Sequence, residues 1–511
     1  MKRITTVYIL LFIGIVVAQR PGDWMTTGAD AQRSSWMRGD VKISPQNMAK
    51  PGFALVWKLK LADGSKTDLT PPALLDFYIG YRGFRTLAFL GASSNKVVAI
   101  DTDLSRVEWQ NNFSPPVQQP TPGCSGGMTS AVTRPTSSAY PPNLSAALGR
   151  GSPAKSGVGA PHEGSVVLAS IAAKSKTTTS SKPAPKKSEP TPFTPHIQYA
   201  LALSADGKLH SIWVSNGNED GAPADFVPAN ANAFGLIAYN DTAYVTTAGD
   251  CGGAGNGVWS LNLTSKKVNH WSTAKSIAGT AGTAAGPDGK LYIGAGDELA
   301  ALSPGQLEVV AIHKISGTEF SSSPVVFKYN GKNLLAIASR DGRLNLLDTA
   351  ALNKPKELDR SDPFTEEGSS IGALASWEDF AGVRWVLAPS QSAVVAWNVI
   401  DKNGAPGFER GWTSRDLVSP LPPLIVNGVV FALSSGEYGR GDKGATTAER
   451  IRKSLPAILY ALDGRSGKEL WSSGNTIEAF VSSGGLAAGG TRVYVSTHDG
   501  TQYAFGFPIE H

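Results

Sequence analysis

A glycine-lysine pair, Gly467 and Lys468, lies in the stretch "YALDGRSGKELW" at residues 460–471 and could belong to a phosphate-binding loop. Such a loop also needs a glycine five residues before that glycine and a Ser or Thr after the lysine, because amides, ammonium and hydroxyl act together on phosphate and Mg²⁺. Those two positions hold Leu462 and Glu469. The sequence therefore gives little support for a nucleotide site here.

A calcium loop of the EF-hand type is also unsupported, because Asp463, Arg465 and Gly467 do not supply the alternating oxygen ligands that it requires. The same residues fit a hairpin turn. The alternating run "ILYAL" ends at Asp463, the glycines permit positive φ values, and "KELW" resumes as a second strand. The stretch predicts a turn between two strands.

The stretch "GCSGG" around Ser125 matches the G-x-S-x-G pattern of a nucleophilic serine. That pattern works at a strand-to-helix elbow, whereas the residues that follow, "MTSAVTRP", read as a strand. The sequence identifies no histidine and acid to serve as partners of Ser125. The seven histidines are scattered without the spacing of a zinc site. Neither a serine hydrolase nor a zinc enzyme is favoured.

The hairpin of residues 460–471 recurs along the chain, for example as "VAIDTDLSRVEW" at residues 98–109. Six equivalent turn positions are separated by 41, 45, 50, 65 and 43 residues: Asn262, Ser303, Asp348, Asn398, Asp463 and Gly506. A period of this length with a strand-turn-strand core is typical of propeller blades. The predicted units begin near Thr70, Cys124, Ala231, Gly279, Phe320, Ile371, Leu417 and Ile477.

The last unit stops at "TQYAFGF" and lacks an outer strand, while "FALVWKLKL" at residues 53–61 precedes the first unit without a partner. We expect this early strand to close the ring as the outer strand of blade 8, which leaves no open edge at the seam. The sequence thus predicts an all-β protein, an eight-bladed propeller of four-stranded antiparallel blades, as one domain over residues 19–511.

Five tryptophans occupy repeat-equivalent places in the outer strands: Trp57, Trp109, Trp271, Trp412 and Trp471. A periodic position is explained by the repeat itself, so the pattern predicts packing between neighbouring blades. Stacking of these rings on a sugar or a quinone is the less favoured alternative.

Residues 1–18 predict a secretory signal peptide, because Lys2 and Arg3 precede an apolar run of eleven residues that is too short to span a bilayer. Val16 and Ala18 make a suitable cleavage site. No cysteine follows that site for lipid attachment, and no later apolar run reaches the length of a transmembrane helix. We expect a soluble protein exported to the periplasm or secreted.

Residues 134–196 interrupt the repeat within blade 2 with a segment rich in Ser, Pro, Thr, Ala and Lys. The segment has eight Lys or Arg against two Glu, a charge of +6, while the whole chain has +5. The remaining residues are therefore close to neutral, which argues against nucleic acid as a partner. A solvated linker is the favoured interpretation, and a tether to cell wall or anionic lipid is the alternative.

Two cysteines, Cys124 and Cys251, fall in loops that a four-stranded meander places on the same face of neighbouring blades. An even pair in an exported protein suggests a disulfide, and the topology predicts that these two residues form it.

The hairpin "LYALDGRSGKELW", the opening "GDWMTTGADAQRSSW" at residues 22–36 and the count of eight units resemble the quinoprotein alcohol dehydrogenase-like propellers, the pyrroloquinoline quinone repeat family. The resemblance implies a quinone and a calcium ion at the axial end of the propeller. It also implies an aspartate base, a tryptophan floor and often a bridged pair of adjacent cysteines. This chain has no adjacent cysteines and no Cys-x-x-Cys-His haem segment.

The stretch "GAGNGVW" at residues 253–259 resembles the calcium-ligand loop of those enzymes, which would make Asn256 a metal ligand. Four aspartates lie in loops suitable for a base, and none is assigned that role: Asp250, Asp297, Asp341 and Asp379.

Two functions therefore stay open. The favoured one is a scaffold that binds a protein partner or a small-molecule ligand at the axial face, similar to the outer-membrane assembly lipoproteins of the same superfamily. Its recognition surface would include residues 362–370, 377–385 and 436–445. The alternative is a dehydrogenase that uses pyrroloquinoline quinone and calcium to oxidise alcohols or sugars, and it needs several convergent polar groups, of which only Asn256 has motif support.

Overall fold

The computed structural model describes residues 23–40, 42–61, 68–80, 83–113, 124, 126–136, 138–139, 199–354, 356–440, 446–482 and 485–508. The signal peptide predicted at residues 1–18 lies outside these residues, as do Ser125 and most of the insertion predicted at residues 134–196. In the described part of the chain, no helix is long and apolar enough to cross a membrane.

Eight antiparallel sheets follow one another along the chain, and they confirm the predicted eight-bladed propeller. Strands are numbered within each blade from strand 1 at the axis to strand 4 at the rim. Blade 1 contains Ala73–Gly80, Gly83–Ala92, Lys96–Asp101 and Arg106–Asn112. Blade 2 contains Tyr199–Leu203, Lys208–Trp213 and Ala224–Asp225, and its strand 1 is reduced to one bridge between Thr133 and Leu201.

The next three blades are complete four-stranded meanders. Blade 3 contains Ala233–Tyr239, Thr242–Thr247, Gly257–Asn262 and Val268–Ser272. Blade 4 contains Ala284–Ala285, Leu291–Ala295, Glu298–Leu302 and Val309–Lys314. Blade 5 contains Val325–Tyr329, Lys332–Ala338, Leu344–Asp348 and Asp359–Arg360.

The last three blades complete the ring. Blade 6 contains Ala375–Glu378, Arg384–Pro389, Val394–Lys402 and Ala405–Thr413. Blade 7 contains Leu424–Val426, Val429–Ser434, Ile458–Asp463 and Glu469–Ser472, and Trp36–Met37 joins its inner edge in parallel. Blade 8 contains Leu486–Gly489, Arg492–Ser496, Thr501–Gly506 and Ala54–Lys60.

Within the described residues, helical structure is limited to short segments between strands. Helix α1 spans Pro45–Met48, helix α2 spans Thr447–Lys453, and two 3-10 turns span Cys251–Gly253 and Thr349–Ala351.

The ring closes where the sequence predicts. Ala54–Lys60 pairs antiparallel with Thr501–Gly506, so that Trp57 lies opposite Ala504. An early segment of the chain therefore supplies the outer strand of the last blade, and the seam has the same hydrogen bonding as any other blade.

The two faces of the ring differ in their connections. The turns between strands 1 and 2 and between strands 3 and 4 lie on one face, here called the lower face. The turns between strands 2 and 3 and the connections between blades lie on the other, the upper face. Most blades are also buried on both sides of their sheet. In blade 1, for example, the neighbouring residues Val97 and Val98 contribute to apolar clusters on opposite sides of the sheet.

Three of the five outer tryptophans bind the next blade through the indole N–H. Trp57 donates to Thr102 O, Trp109 to Val214 O and Trp412 to Gly464 O, each at 2.9 Å. Each acceptor belongs to the turn that follows strand 3 of the next blade. The tryptophan thus satisfies a turn carbonyl that packing removes from water.

Small residues make room for these rings. Trp57, Trp109, Trp412 and Trp471 each lie opposite an alanine of strand 3, and each pair is flanked by a one-residue register shift. Trp471 packs against Phe53 and Phe505. Trp271 departs from the pattern, since it lies opposite Val258 without a register shift. In the repeated sequence pattern, the alanine before the Asp and the Trp that follows are therefore the two partners of this contact, one small and one large.

The hairpin of residues 460–471 is a turn on the lower face of blade 7. The carboxylate of Asp463 accepts from the backbone N–H groups of Arg465 and Ser466, and Gly467 N donates to Asp463 O. Gly467 has φ 70°, and a Cβ added there would lie 2.6 Å from the ring of Trp412. The glycine of the Gly-Lys pair therefore serves packing between blades.

The opening segment of residues 23–37 winds around the lower end of the axis and pairs with one blade after another. Its carbonyls accept backbone hydrogen bonds from strand 1 residues of blades 1, 4, 5, 6 and 7, namely Leu74, Ala285, Val326, Ser376 and Ile425. The buried Arg33 guanidinium donates to Thr283 O, Gly235 O and Thr27 O. Burial lowers the pKa of Arg33 to about 9, so it is charged at neutral pH.

Gly467→Ala tests the packing of the turn against Trp412. Gly305→Ala is the matched control, because Gly305 lies in the corresponding turn of blade 4 with φ 73° and no atom within 4 Å of an added Cβ. Both changes carry the cost of a positive φ, about 1 to 2 kcal/mol. We expect Gly467→Ala to lose about 2 kcal/mol more in a urea titration. Equal losses would contradict the packing role of Gly467.

Candidate functional site

The disulfide lies on the upper face. Cys124 and Cys251 are joined, with their Cα atoms 5.6 Å apart and a sequence separation of 127 residues. Cys124 belongs to the connection into blade 2, and Cys251 to the loop between strands 2 and 3 of blade 3. The bond therefore ties neighbouring blades together, and it is not a bridge between adjacent residues.

Asn256 also lies in that upper loop of blade 3. Its Oδ1 accepts from Gly249 N at 2.9 Å, and its Nδ2 donates to Lys275 O at 3.0 Å. Its amide thus holds the loop against the connection into blade 4. Among the described residues, no group of three or more His, Cys, Asp or Glu could hold a metal ion.

Three of the four loop aspartates are paired with a cationic side chain, and each has a different partner. Asp297 is paired with Lys275, which holds the pKa of the Asp297 carboxyl below its usual value. Asp341 is paired with Arg360. Asp379 accepts from Arg465 Nε at 2.8 Å and from the N–H groups of its own turn. Asp250 stands beside Cys251 with φ 56°. The structure does not bring these carboxylates together.

The connections into blades 4, 5 and 6 pack against one another through their backbones at the upper end of the axis. Gly372 O accepts from Thr280 N at 3.1 Å and from Ser323 N at 2.8 Å. A Cβ added at Gly279 would lie 1.8 Å from Ser323 N. The amide of Asn256 is thus already engaged by backbone groups, and the described residues offer it no cluster of acidic or histidine ligands to share a calcium ion with.

A hydrogen-bonded chain of Ser204, His210 and Glu219 in blade 2 is one arrangement that the sequence did not reveal. Ser204 Oγ lies 2.8 Å from His210 Nε2, and His210 Nδ1 lies 2.9 Å from Glu219 Oε1. This is the connectivity of a hydrolase triad.

The repeat explains the hydrogen bonds of Ser204, His210 and Glu219 in structural terms. The turn "SADGKLH" at residues 204–210 has a counterpart "SRDGRLN" at residues 339–345, where Asn345 Nδ2 donates to Ser339 Oγ at 3.0 Å. In both turns the serine hydroxyl also donates to the aspartate two residues later. Ser204 is buried, and the cleft beside it has room for about one water molecule. These three hydrogen-bonded residues stabilise the turn and offer no accessible nucleophile.

The upper face of blade 7 carries a long connection between strands 2 and 3, residues 435–457, which we call the blade-7 cap. Helix α2 lies within it. Thr446 begins the helix with a capping box, in which its Oγ1 accepts from Glu449 N and Glu449 Oε2 accepts from Thr446 N. The sequence "TTAE" at residues 446–449 carries this signal, and it could have located the helix in advance.

A buried glutamate anchors the cap. Glu437 accepts from Arg440 Nε at 3.0 Å and from Arg450 Nη1 at 3.4 Å, while its own side chain is almost fully buried. Burial raises the pKa of the Glu437 carboxyl, and the two arginines partly offset that effect. The pairing joins the start of the cap to helix α2.

Arg440 extends this network across the upper face. Its guanidinium donates to Pro420 O and to Ser482 O, both at 3.4 Å. These carbonyls lie in the connections that lead into blades 7 and 8. The cap is therefore tied to the innermost part of two blades.

Next to this network lies a dyad of Asp68 and His498. His498 Nδ1 donates to Asp68 Oδ1 at 2.6 Å, and Ser482 Oγ donates to the same oxygen at 2.7 Å. Phe480 stacks on the imidazole with 4.4 Å between ring centroids. The hydrogen bond to Asp68 raises the pKa of His498. Because Ser482 binds the carboxylate and not the imidazole, the three residues do not form a nucleophilic triad.

Four large apolar side chains of the cap and its surroundings are exposed: Val418, Tyr438, Ile451 and Leu455. Backbone hydrogen bonds hold three of their segments side by side, since Gly436 N donates to Val418 O and Leu455 N to Gly436 O. Tyr438 N donates to Ser454 Oγ, and Lys453 Nζ lies 4.7 Å from the Tyr438 ring. These four exposed residues of the upper face of blade 7 are here called the cap patch.

The three loops predicted as a recognition surface do not share a face. Residues 362–370 and the described part of 436–445 lie on the upper face, but residues 377–385 form a turn on the lower face. Residues 441–445 lie outside the described residues. The expected single surface is therefore divided by the ring.

No protein-family model matches the chain, and no curated protein matches its sequence. Among solved structures, the chain is similar to quinohemoprotein alcohol dehydrogenase from Comamonas testosteroni, with a TM-score of 0.54 and 12% identity over 96% of this chain and 82% of that one. A europium-containing methanol dehydrogenase gives a TM-score of 0.54 and 10% identity over 96% and 99% of the two chains. BamB from Moraxella catarrhalis gives 0.50 and 13% over 89% and 100%. At these identities the likeness shows the propeller fold alone.

Replacing both cysteines, Cys124→Ser with Cys251→Ser, tests the disulfide's contribution to stability. Because the bond closes a loop of 127 residues, the loop-entropy model gives a loss of about 4 to 5 kcal/mol in the free energy of unfolding. The measurement is a urea titration of both proteins under oxidising conditions. Two free thiols in a non-reducing peptide map of the wild type would contradict the bond.

Asp68→Asn tests the electrostatics of the dyad. We expect the pKa of His498 to fall towards its ordinary value of about 6.5, measured by NMR titration of histidine-labelled protein with His498→Gln for assignment. A raised folded pKa stabilises the protein below the unfolded pKa, and this stabilisation is lost as the pH rises through the folded pKa. Asp68→Asn should remove that pH dependence. An unchanged His498 pKa would show that Asp68 is not its partner in solution.

Proposed function

We propose that this protein is a non-catalytic interaction propeller, exported from the cytoplasm, that binds a protein partner through the cap patch on its upper face. The observation that carries the proposal is the exposure of three large apolar side chains on a segment anchored by buried charges, with Val418 hydrogen-bonded beside it. Exposed apolar residues that are contiguous and rimmed by polar groups are typical of interaction sites.

The rim of the cap patch indicates the partner's chemistry. Arg452 and Lys453 lie in the last turn of helix α2, whereas Arg440 and Arg450 are paired with the buried Glu437. An acidic protein surface with an apolar centre complements this arrangement, because charge complementarity steers encounter and excludes wrong partners.

Anchoring makes the patch suited to binding. Glu437, Arg440 and Arg450 fix the cap to the connections of blades 7 and 8. A preorganised surface loses less conformational entropy on association than a mobile loop does. Aromatic and aliphatic side chains such as Tyr438 and Leu455 can then contribute their burial to affinity.

The alternative is a quinone- and calcium-dependent dehydrogenase, and its support is the likeness of fold to the two dehydrogenases. The residues that would hold the cofactor do not converge: Asn256 caps a loop, the disulfide joins two blades, and the loop aspartates are dispersed. An enzyme of this kind needs several polar groups fixed around one reacting atom.

Tyr438→Ser with Leu455→Ser tests the cap patch. A photoreactive residue in place of Ile451 should crosslink one partner in extracts of the native host, and that partner is then purified. We expect its Kd to rise at least about tenfold for the double variant, since two exposed anchors lose their burial. Ile79→Ser with Phe84→Ser on the lower face is the matched control and should bind as the wild type does.

The enzyme alternative has its own measurement. Purified protein is mixed with pyrroloquinoline quinone and calcium, and quinone absorbance and dye-linked alcohol oxidation are recorded. Stoichiometric uptake with turnover would overturn the scaffold proposal.

A partner that binds the Tyr438→Ser, Leu455→Ser variant as tightly as the wild type would overturn the assignment of the cap patch.

A further inference from the structure

The outer strand of each blade is the edge of its sheet, and its outward N–H and C=O groups can pair with another chain. Proteins protect such edges by shortness, charge or proline. In blades 2 and 5 the outer strand has only two residues. Five other blades carry charged or polar residues or a proline there: Arg106 and Glu108, Asn269 and His270, Pro406, Glu409 and Arg410, Glu469, and Lys58 and Lys60. The outer strand of blade 4 is different.

That strand, Val309–Lys314, has the sequence "VVAIHK". Val309, Val310 and Ile312 are 47%, 52% and 39% exposed. The two basic residues lie at its upper end, and only Lys314 is exposed, since His313 is buried. A run of β-branched residues without charge is the composition that favours pairing with a further strand.

One side of the strand is covered by blade 5. Ala311 packs against the apolar cluster between blades 4 and 5, and His313 Nδ1 lies 3.1 Å from Lys354 O. Successive side chains of a strand alternate between the two sides of its sheet. Ile312 and Lys314 therefore lie on the other side, where both are exposed.

The backbone groups of the same two residues point away from the sheet. Ile315 N donates to Asp297 O, and the pairing with strand 3 is regular from Lys314 back to Ala311. In an antiparallel pair every second residue exchanges hydrogen bonds with the neighbouring strand. The N–H and C=O groups of Ile312 and Lys314 are therefore directed outwards. In the part of the chain that the structure describes, no strand pairs with this edge.

Lys314 indicates which strand fits the edge. Antiparallel pairing with a second copy, in the register that uses Ile312 and Lys314 of both copies, would place the two Lys314 side chains diagonally across the pair, where like charges repel. A strand with an acidic residue opposite Lys314 gains an ion pair instead. Lys314 is now paired with Glu298, which Lys275 also contacts and would keep as its partner.

We infer that the outer edge of blade 4 binds an extended segment of another protein and adds it to the blade as a fifth strand. Main-chain hydrogen bonds to Ile312 and Lys314 supply the pairing, as in other cases of strand addition. An apolar side chain of the segment covers Ile312, and an acidic one pairs with Lys314. This edge lies on the rim of the ring, apart from the cap patch, and the inference does not depend on the function proposed above.

Fluorescence anisotropy of the full chain with labelled hexapeptides tests this inference. The first peptide is rich in threonine and carries a valine and a glutamate two positions apart. The second has lysine in place of the glutamate, and the third is the first with N-methylated peptide bonds. We expect saturable binding of the first peptide and about threefold to tenfold weaker binding of the second, because its charge repels Lys314. The third should not bind, because it lacks the main-chain donors.

Two variants locate the binding on blade 4. Ile312→Pro removes an outward donor and should abolish binding, while the fold is retained because proline is tolerated on an edge strand where the N–H faces solvent. Lys314→Glu should reverse the preference between the glutamate and lysine peptides. Tyr438→Ser with Leu455→Ser is the control on the upper face and should bind the first peptide as the wild type does. Thermal unfolding checks the fold of each variant.

A wild type that binds none of the peptides, or that binds the methylated one equally well, would overturn the inference. So would a Lys314→Glu variant that keeps the preference of the wild type. If sedimentation shows a dimer that Ile312→Pro converts to a monomer, a second copy occupies the edge and the assignment to another protein is wrong. None of these outcomes affects the crosslink expected at the cap patch.

Discussion

The whole structure depends on closing a ring whose blades cannot bury their faces alone. Each blade is apolar on both sides, so an open end would expose a full blade face to water. Residues 54–60 remove that end by pairing with strand 3 of the last blade. The same early part of the chain, residues 23–37, bonds to strand 1 of successive blades at the lower end of the axis. Closure and axial filling therefore come from one continuous stretch.

Contacts between blades are specific as well as apolar. The tryptophans at positions 57, 109 and 412 each satisfy a carbonyl in the turn of the next blade while their rings cover that turn. A buried carbonyl without a partner would cost free energy, so each of these hydrogen bonds stabilises the contact with the next blade. With the blades held in this way, the connections between strands are the parts of the chain that can differ. The blade-7 cap and the insertion in blade 2 are both such connections.

Local resemblance to catalytic chemistry has a structural explanation in two places. Ser204, His210 and Glu219 have triad connectivity, but the equivalent turn of blade 5 achieves the same hydrogen bond with Asn345. Asn256 resembles a calcium ligand in sequence, but it holds a loop to its neighbour. In both cases polar side chains satisfy buried backbone or turn groups, which is the commonest use of such residues in a folded protein. The charged cluster around Glu437 serves instead to fix an exposed surface.

The sequence by itself determined the blades, their hairpin turns and the closing strand, because these rest on local patterns that repeat. The hairpin of residues 460–471 shows this, since its Gly-Lys pair loses its chemical meaning once its relatives are aligned. The cysteine pair also followed from topology, because loop class and blade order place Cys124 and Cys251 on one face. What only the tertiary structure decided is which distant groups meet. Asp68 and His498 are 430 residues apart and share a hydrogen bond because ring closure brings blades 8 and 1 together. The meeting of Val418 with the blade-7 cap could likewise not be predicted from the sequence, because it depends on which connections lie side by side on the upper face.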